Sequence, residues 1–133
     1  PLRQLPERSE AVRVGAGKLP APAHCHSAEE EIFVVLEGDG TLELVPSPRA
    51  CDRGHEEEHL PIRAGHVVAR PAGTQISHAF RGGDNGMKVL MYGWRDPNDI
   101  TYYPRSNKIG FRGVGLMTRL EPLDYWDGEE PPG

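Results

Sequence analysis

The chain has 133 residues, 29 of them glycine or proline (16 and 13), and a formal charge of −5 from 15 Lys+Arg against 20 Asp+Glu. That length fits one domain, and so many helix breakers argue against a helical bundle. The acidic balance, with no basic stripe, argues against nucleic acid as the main partner; no apolar run is long enough to span a membrane, and there is no G-x-y period.

Residues 10–14 alternate weakly, and Pro20-Ala21-Pro22 breaks the chain before a short segment at 23–26. Residues 31–37 (EIFVVLE) predict a strand rich in β-branched and aromatic side chains. Gly38-Asp39-Gly40 predicts a hairpin turn, with residues 41–45 (TLELV) as the partner strand. A polar loop at 46–58 follows, then short strands at 60–62, 66–70 and 78–80, separated by Ala64-Gly65 and Pro71-Ala72-Gly73. Residues 82–86 predict a loop and 87–94 (MKVLMYGW) a last strand; from 96 to 133 the pattern dissolves into an irregular tail with aromatics. About eight short strands without an amphipathic helix predict an all-β antiparallel sandwich or barrel. In 31–37 both Phe33 and Val35 on one face and Ile32, Val34 and Leu36 on the other are apolar. Both faces therefore need cover, from the core on one side and from a second sheet, the tail or a second subunit on the other.

Six histidines fall at 24, 26, 55, 59, 66 and 78. On a strand His24 and His26 point to one face, with Cys25 turned away. Glu29-Glu30-Glu31 offers a carboxylate at the start of the next strand, and His78 is available as a fourth ligand. Three imidazoles and a carboxylate suit Mn, Fe, Co, Ni, Cu or Zn, with positions open for water or substrate. A bare H-x-H is also met as two half-buried imidazoles bonded to backbone carbonyls.

The stretch from His24, HCHSAEEEIFVVLEGDG, resembles the first motif of the cupin superfamily: H-x-H, three or four residues, E, six residues, G. His24, His26, Glu31 and Gly38 fit it in register; Glu30 fits the histidine spacing but misses the glycine. Gly17 lies seven residues before His24, where the pattern has a glycine at six. Gly65, Pro71 and Gly73 match the second cupin motif, with four residues between Gly73 and His78 where the pattern has two. The resemblance covers about residues 10–95 and implies a double-stranded β-helix, or jelly-roll barrel, over 1–95. It implies one divalent transition metal ion (Fe, Mn, Ni or Zn) on His24, His26, Glu31 and His78. In the tail, residues 98–104 and 124–129 resemble the ends of small stand-alone cupins of uncharacterised function. That likeness implies a metal, often a homodimer, and no settled reaction. Such chains begin before the point matching Pro1, so a processed or truncated start is expected.

Two functions from different classes follow. One is a metal-dependent enzyme of dioxygenase, isomerase or hydrolase type, acting on a small polar molecule that binds the ion through a carboxylate, carbonyl or hydroxyl. The other is a non-catalytic module for a small sugar or metabolite, with structural metal or none. His55-Glu56-Glu57-Glu58-His59 matches H-E-x-x-H, but Gly54, Pro61 and an almost fully charged window predict a solvated loop rather than the helix that zinc proteases need. Cys25 and Cys51 make no disulfide framework, and a cytoplasmic setting is expected. The tail aromatics Tyr102, Tyr103, Phe111, Tyr125 and Trp126 are expected to pack on the barrel or on a partner subunit.

Overall fold

The inward and outward sides of the longest strands decide the architecture. In β3 (Glu31–Pro46) Glu31, Phe33 and Val35 are buried, while Ile32 and Leu36 are exposed. β1 (Glu7–Val14) and β6 (Ile76–Trp94) pair in the same phase. Val14, Phe33, Val35, Leu42, Phe80 and Val89 therefore meet in one core. β4 (Glu58–Arg63) and β5 (Val67–Arg70) add to β3, giving a five-stranded antiparallel sheet ordered β1-β6-β3-β4, with β5 also on β3. The computed structural model describes residues 7–133; the expected processed start at Pro1 and the first six residues of the 1–95 unit lie outside the described residues.

The all-β jelly-roll expectation holds, with local corrections. Gly38-Asp39-Gly40 does not turn the chain. β3 runs through it, and β6 pairs with β3 on both sides of two register shifts, between Val35 and Glu37 and between Gly38 and Gly40. The predicted loop at 82–86 lies within β6. A Cβ on Gly38 or Gly40 would collide with the backbone oxygen of Gly86 or Arg81. These glycines thus serve close strand approach at an irregular bend, which long-range pairing imposes over the local hairpin signal. Within the predicted polar loop a short helix, α1 (Pro48–Asp52), is capped by Ser47, whose Oγ accepts from the Ala50 N–H at 3.2 Å.

The predicted irregular tail is regular over its first half. β7 (Ile100–Tyr103), β8 (Lys108–Phe111) and β9 (Leu116–Arg119) join β2 (Cys25–His26) in a second sheet, ordered β2-β7-β8-β9. The edge of β2 organises it: Cys25 pairs with Tyr102 and His26 with Thr101. No strand follows Arg119. There Tyr125 is 87% exposed and meets Trp126 edge to face at 5.4 Å between ring centroids.

An ion-pair network joins the two sheets. Glu43 on β3 is 2% exposed and accepts from Arg81 on β6 and from Arg105, just beyond β7, the latter at 2.7 Å. Arg105 also donates to Glu57 at 2.8 Å. Burial alone would raise the Glu43 carboxyl, but the two guanidinium groups outweigh it and hold the group below its ordinary value of 4.5. Such a group stabilises the fold fully above its unfolded pKa, and loses that contribution as pH falls below about 4.5. Glu43→Gln is expected to lose about 1–3 kcal/mol at neutral pH, since both arginines are partly solvated. Its denaturant midpoint should fall less than that of the wild type between pH 5 and pH 3; equal acid sensitivity of the two proteins would contradict the assignment.

Candidate metal centre

His24 and His78 are joined through the backbone. His24 N–H donates to the His78 carbonyl at 3.3 Å, and His78 N–H donates back to His24 at 3.0 Å. The Gly73 N–H binds the His26 carbonyl at 2.9 Å, so the histidine segment and the Pro71–Gly73 turn are stitched along their length. The two extra residues before His78 are absorbed in the loop. Gly73 and Gln75 take left-handed backbone angles (φ 74° and 61°), and Thr74 Oγ1 accepts from the Ile76 N–H as β6 begins. His78 then re-enters in phase with Phe80 and the core.

The structure brings His24, His26, Glu31 and His78 together. One ligand atom each of His24, Glu31 and His78 lies within 4.8 Å of the others. Glu31 Oε2 is 3.2 Å from His78 Nε2 and 3.5 Å from His26 Nε2. The His24 ring centroid is 5.0 Å from that of His26 and 4.8 Å from that of His78. Glu31 is 8% exposed while Glu30 points to solvent, so of the two carboxylates only Glu31 faces the cluster.

Three polar atoms in this cluster are buried without a hydrogen-bond partner: His26 Nε2, Glu31 Oε2 and His78 Nε2. A native interior rarely leaves one such atom unsatisfied, at about 1–3 kcal/mol each. Three converging on one volume form the donor set that a divalent cation satisfies, so the residues fit a metal.

The far sides of the rings are held. His24 Nδ1 bonds the Pro22 carbonyl at 2.7 Å, which leaves Nε2 as the acceptor turned inward. His26 Nδ1 bonds Asp99 Oδ2 at 2.7 Å. Asp99 is 1% exposed, and its Oδ1 accepts the N–H groups of Ala28 and Glu29 at 3.0 and 3.2 Å. Glu29 is also buried. Its Oε1 accepts from the Asp96 N–H at 3.0 Å and pairs with Arg112 at 2.8 Å. Asp99 and Arg112 escaped sequence reasoning, and Glu29, read there only as part of a run of candidate carboxylates, binds Asp96 and Arg112. Asp99 lies 73 residues from the histidine it holds, in a segment with no periodicity.

Protonation follows these surroundings. Burial pushes His78 down to about 4 against the pull of Glu31. It also lowers His24 against the Pro22 carbonyl, so both rings are neutral at pH 7 with lone pairs free. Burial opposes charge on His26 too, but Asp99 and Glu31 outweigh it and raise His26 to about 9. Glu31, buried as well, is held well below the usual carboxylate range by His26 and His78. A bound cation would have to displace the His26 proton, which ties occupancy to pH.

The remaining predicted features lie elsewhere. His55 and His59 are exposed, and His59 already belongs to β4 and bonds Glu57 at 2.8 Å; no helix forms there, as expected. His66 Nδ1 accepts from the Arg63 N–H in a surface turn. Both cysteines are free, and burial raises the Cys25 thiol, the opposite of activation. A cavity of about 220 Å³ opens against His24, Glu31 and His78. Phe33, Phe80, Val89 and Met91 form apolar walls, and β1 contributes Arg8 and Glu10.

No family model matches the sequence. A tobacco (Nicotiana tabacum) protein, auxin-binding protein T92, is 41% identical over 56 residues. That match spans 35% of this chain and 29% of the relative, under a third of its length. Among solved structures, a protein of Silicibacter pomeroyi described as a sugar phosphate isomerase from a cupin superfamily is 25% identical, with a TM-score of 0.69 over 90% of this chain and 73% of that one. A candidate sugar phosphate isomerase of Acidithiobacillus ferrooxidans shares the fold at 24% identity and a TM-score of 0.71, over 89% and 72% of the two chains. With both motifs meeting inside an antiparallel jelly roll of this kind, the chain belongs to the cupin superfamily.

Proposed function

We propose that this protein is a metal-dependent enzyme of isomerase type, acting on a small polar molecule, with one divalent transition metal ion (Fe, Mn, Ni or Zn) held by His24, His26, Glu31 and His78. The carrying observation is the set of three buried, unpartnered ligand atoms on His26, Glu31 and His78 at the end of a cavity. When bound there, the ion supplies a Lewis acid that polarises a substrate carbonyl or hydroxyl oxygen. The chain does the rest. Pro22 and Asp99 fix the ring orientations of His24 and His26, and the walls of Phe33, Phe80, Val89 and Met91 exclude water. The isomerase choice over dioxygenase or hydrolase is supported by the two solved relatives, each described as a sugar phosphate isomerase. A second reading, a non-catalytic small-ligand module, draws on the tobacco relative, which is named for binding auxin.

We also assign self-association to the outer face of the first sheet. Ile32 pairs with Tyr92, and Val34 with Val67 and Leu90, in one contiguous apolar patch on which Ile32, Tyr92 and Val67 are 45%, 44% and 64% exposed. A homodimer would cover this patch. Among the described residues no helix is long and apolar enough to cross a membrane, and two free cysteines fit a reducing compartment such as the cytoplasm.

Protein expressed with metal supplementation is expected to carry about one transition metal ion per chain by elemental analysis. His78→Ala should lose it, and Asp99→Asn should keep the fold and bind about 10- to 100-fold more weakly. Sub-stoichiometric metal in the wild type would sink the reading. Light scattering should give twice the 14.7 kDa chain mass for the wild type and the single-chain mass for Val67→Lys; a monomeric wild type would refute the dimer.

A further inference from the structure

We propose that Arg8 is the anion-reading residue of the cavity: it receives a carboxylate or phosphate group on the far end of a ligand whose near end lies at the His24–Glu31–His78 cluster. This deepens the enzyme reading above by naming a substrate class, a small molecule bearing one oxyanion group.

The placement comes from strand register. Arg8 on β1 pairs with Gly93 on β6, and Gly93 pairs with Glu31 on β3. All three face the cavity side, since Arg8 and Glu31 line it and the row alternates with the outward Tyr92. Strands are spaced at about 4.8 Å, so the backbones of Arg8 and Glu31 stand about 10 Å apart. Gly93 puts no side chain between them, and a Cβ there would press on the Glu30 carbonyl oxygen at 2.7 Å. The row therefore reads cation, gap, metal-ligand cluster. A long arginine side chain and a ligand of a few heavy atoms together fill that gap.

The charge distribution agrees. Arg8 is the one arginine or lysine among the described residues lining the cavity, whose other walls are chiefly apolar. Its guanidinium now bonds Glu10 at 2.7 Å, with the two side chains 42% and 48% exposed. A pair so solvated is weak and exchanges readily, whereas the planar guanidinium binds an oxyanion in bidentate fashion. Glu10 holds Arg8 at the cavity until a stronger anion replaces it.

The test titrates inorganic phosphate and, separately, acetate into the wild-type protein by calorimetry, with metal content measured on each sample. Arg8→Gln should weaken the binding of at least one anion tenfold or more, Arg8→Lys should recover part of it, and Glu10→Gln should strengthen it. The arm that responds tells a phosphate-bearing from a carboxylate-bearing ligand. Wild-type affinity retained in Arg8→Gln, or no binding of either anion to the wild type, overturns the proposal. Full metal content in those samples would leave the metal reading standing, whereas absent metal would sink that reading while the comparison of anion affinities still decides the role of Arg8.

Discussion

His24 and His78 exchange two backbone hydrogen bonds, at 3.3 and 3.0 Å, and the candidate site hangs from that bridge. Each histidine alone would be a surface or half-buried imidazole. Bridged, they face each other across a space into which the alternation of β3 also drives Glu31. The cluster then holds three buried polar atoms that make no hydrogen bond. The apolar core around Phe33, Val35, Phe80 and Val89 has to offset that penalty in the empty protein, and a cation removes it in the loaded one.

The second sheet gives the C-terminal segment a role beyond covering the barrel. Pairing of β7 with β2 carries Asp99 under His26, and Asp99 ties His26 to the N–H groups of Ala28 and Glu29. Glu29 in turn holds Asp96 and Arg112. Ring orientation at the site therefore depends on residues from both ends of the chain. The Glu43–Arg81–Arg105 network is a second tie between the same two sheets.

Much of this was legible in the amino-acid sequence, and the failures have physical causes. The same-face logic of His24 and His26 and the inward phase of Glu31 rest on strand periodicity, which is local. The longer spacing to His78 is taken up in the loop, where Gly73 and Gln75 adopt left-handed backbone angles, which no spacing rule reveals. Gly38-Asp39-Gly40 misled because a hairpin signal is local chemistry, whereas the pairing of β3 with β6 is long-range. Asp99 and Arg8 were invisible for the same reason: one acts through a contact 73 residues distant, the other through its register opposite Gly93.

The central claim is that His24, His26, Glu31 and His78 form one metal site. Crystals of protein purified without added chelator, measured at the Mn, Fe, Ni and Zn absorption edges, test it most directly. A single anomalous peak per chain, enclosed by those four side chains, is predicted. The absence of any peak there, or a peak only at exposed histidines such as His55 and His59, would contradict it.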